Sequence, residues 1–448
     1  MTDPVNEAPQ TAAQPGDVVA QGEQVPAPQD APGTAVPGGG AGDDGAPEET
    51  RTQQFFREFL SGSWLVSALA IVVALFVGGV LIALADSRVQ ETAAYLFARP
   101  GDFFRAAWDT VYGAYRAMFR GAVYDFQADT FSRSVRPLTE TLVFATPLIL
   151  AGLGLAVGFR AALFNIGAQG QIVLGGIFGA FIGFTFDLPV VVHVTLAAIG
   201  AALGGAIWAG IAGVLKARTG ANEVIVTIML NNIAVYLIAY LLTTQAFRLP
   251  NSPFPKSPDV PSDSAAYPLL LGPSFRLHAG FLLAIAATVL VWWLLERSTI
   301  GFEIRAAGSN PSAARTAGIS VNRVVVLTMV ISGALCGLAG SAQVLGTERA
   351  LTAGVAASYG FDAITVALLG RSRPFGTFVA GLLFGALRAG GVLMQSTTQT
   401  PIDIILVVQS IIVLLIAAPP LVRAIFRLPA PGARPRGART PVAKEAAA

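Results

Sequence analysis

Glu223, Thr227 and Asn231 fall at i, i+4 and i+8 in an otherwise apolar run, with Asn222 and Asn232 flanking them. Residues four apart lie on one face of a helix, so a carboxylate, a hydroxyl and an amide form a single polar stripe. Such groups are costly in apolar surroundings and face protein or water. The stripe either lines a pathway or ties helices together by hydrogen bonds. A second group sits in Phe164-Asn165-Ile166-Gly167-Ala168-Gln169-Gly170-Gln171, where glycines and amides interrupt an apolar stretch. Non-helical backbone at membrane depth is tolerated only when buried in protein or lining a water-filled cavity. Asn165, Gln169 and Gln171 therefore mark either a broken helix, whose free N–H and C=O groups suit a polar solute or a gate, or a turn outside the bilayer. A third group is Asp362 with Arg388, both within apolar runs. A lone arginine at depth costs about 2.5–3.5 kcal/mol on insertion scales; alternating spans put Asp362 near the outer end of one segment and Arg388 in the outer half of the next, and at that shared depth the two are expected to pair. Gln343, Gln395 and Gln409 are further polar candidates.

None of these groups forms a catalytic set. The chain has no Gly-Lys-Ser/Thr phosphate loop, so it carries no usual ATP site. It has no HExxH, no nucleophile elbow and no Cys/His metal spacing. Cys336, the single cysteine, lies in an apolar run and reads as a small buried hydrophobe. His193 and His278 open apolar runs and read as interfacial residues rather than ligands. Gly152-x-Gly154 follows no strand and does not read as a dinucleotide fingerprint. No cofactor or metal is called for.

The elements that must hold these groups follow from composition. Of 448 residues, 54% are hydrophobic and only 12% charged, with a mean hydropathy of +0.63. A soluble domain carries roughly 25% charge, so most of this exterior faces lipid. The net charge of +2 gives no argument for nucleic acid. Ten segments are candidates to cross a bilayer: 64–84, 138–158, 171–186, 190–215, 224–242, 279–295, 324–345, 359–370, 377–394 and 402–418. The eighth is too short to cross by itself. The fold class is all-α, a polytopic bundle of about ten transmembrane helices with discontinuous segments.

Residues 1–60 form an acidic, Pro/Gly/Ala-rich tail expected to be disordered, with nine acidic residues and no Lys or Arg in the first fifty. The transmembrane bundle is expected over 61–420, and 421–448 is a basic tail. With the N-terminus in the cytosol, the inside loops hold Arg160, Lys216, Arg218, Arg297, Arg305, Arg315, Arg323, Arg371 and Arg373, and the C-terminal tail lies inside as well. Short basic loops mark the cytoplasmic side. The stretch 85–137 is the exception, rich in both charges and aromatics, and suggests amphipathic helices on the outer surface. The Pro-rich 243–278 loop is expected to be irregular. Gly175, Gly179 and Gly183, Gly333 with Gly337, and Gly381 with Gly385 give smooth strips for close helix contact.

One loop looks like a handle. In 301–320, Asn310 suits an N-cap, Pro311 the first helical position and Gly318 the C-terminal cap. A short Ala-rich helix projecting into the cytosol is either shaped to dock into a groove or an incidental loop helix.

Several stretches resemble one family: 164–171, Ala221-Asn-Glu-Val-Ile-Val-Thr-Ile-Met-Leu-Asn231, Arg305-Ala-Ala-Gly308-Ser-Asn310-Pro311-Ser-Ala313-Ala314-Arg315-Thr-Ala-Gly318, Gly360-Phe-Asp-Ala-Ile-Thr-Val-Ala-Leu-Leu-Gly370 and Leu387-Arg-Ala-Gly-Gly391. Together they are similar to permeases of bacterial ATP-binding cassette importers of the branched-chain amino acid/ribose type, particularly the nucleoside-importer branch, over roughly 60–420. The resemblance implies a plasma-membrane permease subunit that pairs with a second, related permease, often as a heterodimer. It implies a cytosolic ATPase gripping the loop around 305–318 and an extracellular binding lipoprotein that delivers solute. It also implies inverted halves, the second to fifth and seventh to tenth helices, around a central site. The branch usually has Glu where Gln169 stands. Nucleoside is the first solute expected, simple sugar the second and branched-chain amino acid the third. A gradient-driven transporter would need a titratable mid-depth site, and a non-transporting scaffold or membrane enzyme is the other rival.

Overall fold

In the computed structural model, residues 63–401 and 403–426 are described. The acidic tail assigned to 1–60 lies outside them, as does the basic tail beyond residue 426. The helices are α1 (Ser63–Ala85), α2 (Ser87–Ala93), α3 (Pro100–Ala122), α4 (Phe131–Arg160), α5 (Ala168–Thr185), α6 (Val190–Thr219), α7 (Glu223–Leu241), α8 (Gly280–Arg297), α9 (Thr299–Ser309), α10 (Pro311–Thr316), α11 (Val321–Ser341), α12 (Tyr359–Leu369), α13 (Pro374–Thr398), α14 (Asp403–Ala417) and α15 (Pro419–Ile425). A π-helical turn, Ala342–Thr347, continues α11. No strand occurs among the described residues, so the all-α expectation holds.

Eight of these helices, α1, α4 to α8, α11 with its π turn, and α13, are long and apolar enough to cross a membrane. The other two of the ten expected segments are shorter apolar helices, Tyr359–Leu369 and Asp403–Ile412. The chain is a multi-pass membrane protein. Helix α4 is its central post, with 83% of its most apolar stretch buried, whereas α7 buries only 22% and leaves most of its surface outward.

The glycine strips seat the helices against one another. A Cβ on Gly175 or on Gly205 would run into the backbone of α11 at Gly337 or Gly333, and one on Gly333 would strike Gly205 in return. A Cβ on Gly385 would sit 2.7 Å from the Thr141 carbonyl oxygen. Lipid-embedded helices gain little from hydrophobic burial, so such close backbone contact, with its dispersion attraction, holds α5, α6 and α11 together, and α13 against α4.

The 85–137 stretch contains the expected amphipathic element, α3. It buries Ala114, Ala117, Gly121 and Ala122 and exposes Phe104, Trp108, Tyr112 and Phe119. Arg120 Nε lies 2.8 Å from Asp125 Oδ1, and this bond holds the Asp125 carboxyl below its usual range. The Pro-rich loop between α7 and α8 is irregular, as expected, and is pinned to the chain around the π turn. Ser257 N donates to Leu351 O (3.0 Å), Val260 N to Arg349 O (2.8 Å) and Tyr267 N to Leu345 O (2.8 Å).

His193, in the first turn of α6, and His278, just before α8, are both covered by protein, at 0% and 1% exposure. His278 Nδ1 accepts from Gly280 N (3.2 Å), so its other nitrogen carries the proton and donates to Thr347 Oγ1 (3.4 Å). The ring stacks on Tyr267, centroids 5.8 Å apart. Burial, with Arg276 and Arg349 adding repulsion, pushes the imidazole down to about 4. Cys336 is buried, as its sequence setting implied.

Candidate functional site

The 161–167 segment that joins α4 to α5 is not helical, a geometry common to the broken helix and the turn read from the sequence. Ala162 takes a left-handed conformation (φ 54°), and Leu163 N returns to Gly158 O (3.0 Å), which ends α4. The break exposes backbone polar groups within the protein, and they need partners. Asn165 Oδ1 accepts from Gly167 N (2.9 Å) and from Gln171 Nε2 (3.0 Å). Asn165 Nδ2 donates to Gln171 Oε1 (3.1 Å) and to Ser332 Oγ (3.0 Å) on α11. Asn231 crosses from α7, donating to Ile166 O (2.8 Å) and accepting from Gly170 N (2.8 Å). Asn165, Gln171 and Asn231 are all buried, at 1%, 1% and 7% exposure. They make a closed amide knot around the break.

The rest of the α7 stripe is inward as well. Thr227 is fully buried and donates to Glu223 O (2.7 Å) and Val224 O (3.1 Å) of its own helix. Glu223, at the start of α7, is ion-paired with Lys216 at the end of α6. Asn222 caps α7, accepting from Val224 N (2.9 Å).

A second polar cluster is open. Gln169 bridges to the start of α12: its Nε2 donates to Ala357 O (2.5 Å) and its Oε1 accepts from Gly360 N (2.9 Å). That double role needs an amide, because a carboxylate there has no hydrogen to give Ala357. Asp362 and Arg388 do pair, with Arg388 Nη1 at 3.2 Å from Asp362 Oδ2. Ser358 Oγ donates to the same carboxylate oxygen (2.7 Å) and accepts from Arg388 Nη1 (3.2 Å). The guanidinium lies 4.3 Å from the centroid of the Tyr359 ring and 5.9 Å from that of Phe144. The two charged side chains keep 26% and 18% exposure. Ion pair, hydroxyl and amide together present donors and acceptors with no net charge. Ser332, Ser358 and Tyr359 were not singled out from sequence, since isolated serines and a tyrosine in an apolar helix carry no spacing signal. Of the remaining glutamines, Gln343 sits in the π turn at 3% exposure with its Nε2 unpartnered, Gln409 is buried and Gln395 is exposed.

The handle takes the capped form read from its residues. Asn310 Oδ1 accepts from Ser312 N (3.1 Å) and Ala313 N (3.0 Å), and Pro311 opens α10. At the other end Gly318 is left-handed (φ +84°), with Gly318 N donating to Arg315 O (3.0 Å) and Ile319 N to Ala314 O (2.9 Å). This double bond is the Schellman arrangement. Only Ala314 of α10 is buried; Ala313, Arg315 and Gly318 are exposed. The sequence did not disclose that residues 299–309 are also helical. There Ser298 Oγ accepts from Gly301 N (3.0 Å) to start α9. Gly308 of α9 rests on the Arg160 and Ala161 backbone at the end of α4, where a Cβ would collide. Arg305 Nη1 is buried without a hydrogen-bond partner. The handle is thus seated directly on the helix that leads into the knot.

Known proteins match this chain over the same region. The family described as branched-chain amino acid transport system / permease component matches residues 138–417. The guanosine ABC transporter permease protein NupP of Bacillus subtilis is 39% identical over 290 residues, 64% of this chain and 82% of that protein. The glucose ABC transporter permease protein TsgB13 of Haloferax volcanii is 37% identical, covering 62% of this chain and 75% of its own length. The nucleoside ABC transporter permease protein NupB of Lactococcus lactis is 34% identical, covering 63% and 80%. Bacillus subtilis and Lactococcus lactis each hold a second, more distant matching permease, 28% and 26% identical. No solved structure matches.

Proposed function

The chain belongs to the permease-component family of branched-chain amino acid transport systems, and from that premise we propose that it forms the translocation pathway of an ATP-driven importer for nucleosides. The observation that carries the reading is the half-open cluster of Gln169, Ser358, Asp362 and Arg388. A neutral, hydroxyl-bearing solute finds both donors and acceptors there, and the paired charges leave no net field to favour an ion. Guanosine and nucleoside permeases among the relatives support that solute class. The glucose permease at 37% identity supports simple sugar as the second reading.

Of the eight pathway residues expected from sequence, Gln169, Asp362 and Arg388 contact solute. Asn165, Gln171, Thr227 and Asn231 form the wall behind them, and the Glu223–Lys216 pair ties the ends of α6 and α7. ATP is hydrolysed in a separate cytosolic subunit that grips α10. Closure of that subunit's nucleotide sites moves α9 and α10 against the end of α4, tilts the bundle and exchanges outward-facing for inward-facing states. A second permease completes the channel, and the matching permease pairs of two organisms support a heterodimer. An extracellular lipoprotein delivers solute. The distribution of Lys and Arg supports a plasma-membrane orientation with both termini in the cytosol. The second to fifth and seventh to tenth expected helices act as inverted halves around the site.

The test is flux. Proteoliposomes holding this chain, its partner permease and the ATPase are given binding protein and labelled nucleoside. Accumulation that requires hydrolysable ATP and survives an uncoupler supports the proposal; accumulation that follows an ion gradient without ATP overturns it.

A further inference from the structure

A groove of ≈ 610 Å³ runs along the outer seam of α6 and α11, away from the cluster described above. It is lined by Val214 and Arg218 from α6 and by Arg323, Val326, Leu327 and Val330 from α11. No acidic side chain lines it. Among the described residues, neither Arg218 nor Arg323 has an ion-pair or hydrogen-bond partner, and both are exposed. The neighbouring Lys216 is spoken for by Glu223.

The arrangement is amphiphilic by construction. Helix α6 ends at Thr219 and α11 begins at Val321, so the two arginines lie at matching ends of antiparallel helices. On α6, Val214 is one turn inward of Arg218, and on α11, Leu327 is one turn inward of Arg323. The trough then continues to Val330. Its floor is sealed, because a Cβ on Gly213 would already be 3.2 Å from Val326 Cα. Two free guanidiniums over an apolar trough match a phosphate over an acyl chain. Guanidinium forks bind phosphate oxygens bidentately, and basic pockets between membrane helices hold anionic head groups.

We propose that this groove binds one anionic phospholipid, its phosphate held between Arg218 and Arg323 and one acyl chain lying against Val214, Leu327 and Val330. The chain's acidic tail could neutralise the arginines, but its Pro/Gly/Ala/Gln-rich sequence offers nothing to fill the trough. The site goes beyond the transport reading and requires only that the chain span a membrane. Its placement in the inner leaflet rests on the proposed orientation.

The test uses the full chain, purified with its co-expressed partner subunits and exposed to phosphatidylglycerol or phosphatidylcholine. Retained lipid is counted by native mass spectrometry. Wild type keeps phosphatidylglycerol in preference to phosphatidylcholine, and the double variant Arg218→Gln/Arg323→Gln retains roughly 30-fold less, given the surface attraction each arginine supplies. Leu327→Trp, which fills the trough and leaves both charges, also loses the lipid. Phosphatidylglycerol raises the thermal midpoint of wild type but not of Leu327→Trp. Equal retention of the two lipids, or undiminished retention by the double variant, overturns the proposal. So does displacement of the lipid by inorganic phosphate alone, which marks a free-anion site, or by a peptide of residues 1–50, which marks a tail site. Because lipid counting needs no transport, failure here leaves the importer reading standing, and failed flux leaves the lipid site standing.

Discussion

The amide knot and the ion-pair cluster meet within the first turn of α5, where Gln169 stands beside Gly170 and Gln171, yet they differ in kind. In the knot, Asn165 and Asn231 match the backbone groups released by the break, and the side chains are buried. In the cluster, Asp362 and Arg388 satisfy each other and Ser358 but remain partly open. Both regions look alike in sequence, as polar residues inside apolar spans. On the proposed reading, polarity in these segments serves two separate tasks. One is to satisfy an irregular backbone inside the protein, and the other is to meet a solute.

The contrast is broken most severely at Asn231. Asn231→Leu strands Ile166 C=O and Gly170 N–H, and an unsatisfied buried group costs about 1–3 kcal/mol. We expect about 4 kcal/mol of lost stability, read as a lower unfolding midpoint in detergent. Uptake should fall only in step with the folded fraction.

A pH titration sharpens the closed side of the comparison. His278 is buried and neutral, and its folded-state value lies near 4, below the unfolded value of about 6.5. Its contribution is therefore complete above about pH 6.5, is lost as pH falls through the window down to about 4, and changes no further below it. Thermal unfolding at pH 8 and pH 5 should differ by roughly 2 kcal/mol from this residue, and His278→Gln should flatten the difference.

On the open side, Arg388→Gln should reduce uptake per folded molecule about tenfold, the kinetic equivalent of about 1.4 kcal/mol. Its stability loss should be smaller, because partly exposed pairs contribute about 1 kcal/mol or less. The exchanged pair Asp362→Arg/Arg388→Asp should recover part of the uptake; no recovery would separate the two roles. The smallest effect is expected at the junction. Gln169→Glu removes the donor to Ala357 O and should cost about 1 kcal/mol, with uptake changed less than in Arg388→Gln.

Much of this was legible beforehand. The apolar runs located the bundle, and Asn310, Pro311 and Gly318 located α10 to the residue, because caps are written in local sequence. The Asp362–Arg388 pair followed from shared depth. The count of crossings did not resolve: eight helices are long enough, while α12 and α14 are short. The partners within the knot were beyond reach, since Asn165 meets Ser332 across 167 positions and only packing brings them together. That neighbouring segments cover His193 and His278 was also beyond reach, because nothing local announces it. Helix α9 escaped notice because its start depends on Ser298, an ordinary residue at the end of an apolar span.

The most direct measurement places a thiol in each region. In a background with Cys336 replaced by alanine, Ser358→Cys and Ser332→Cys are exposed to a small water-soluble thiol reagent during ATP-driven uptake, with and without nucleoside. The account predicts that Ser358→Cys is modified and that nucleoside slows the modification, while Ser332→Cys stays unreactive. Labelling of Ser332→Cys with nucleoside protection, and none at Ser358→Cys, would contradict it.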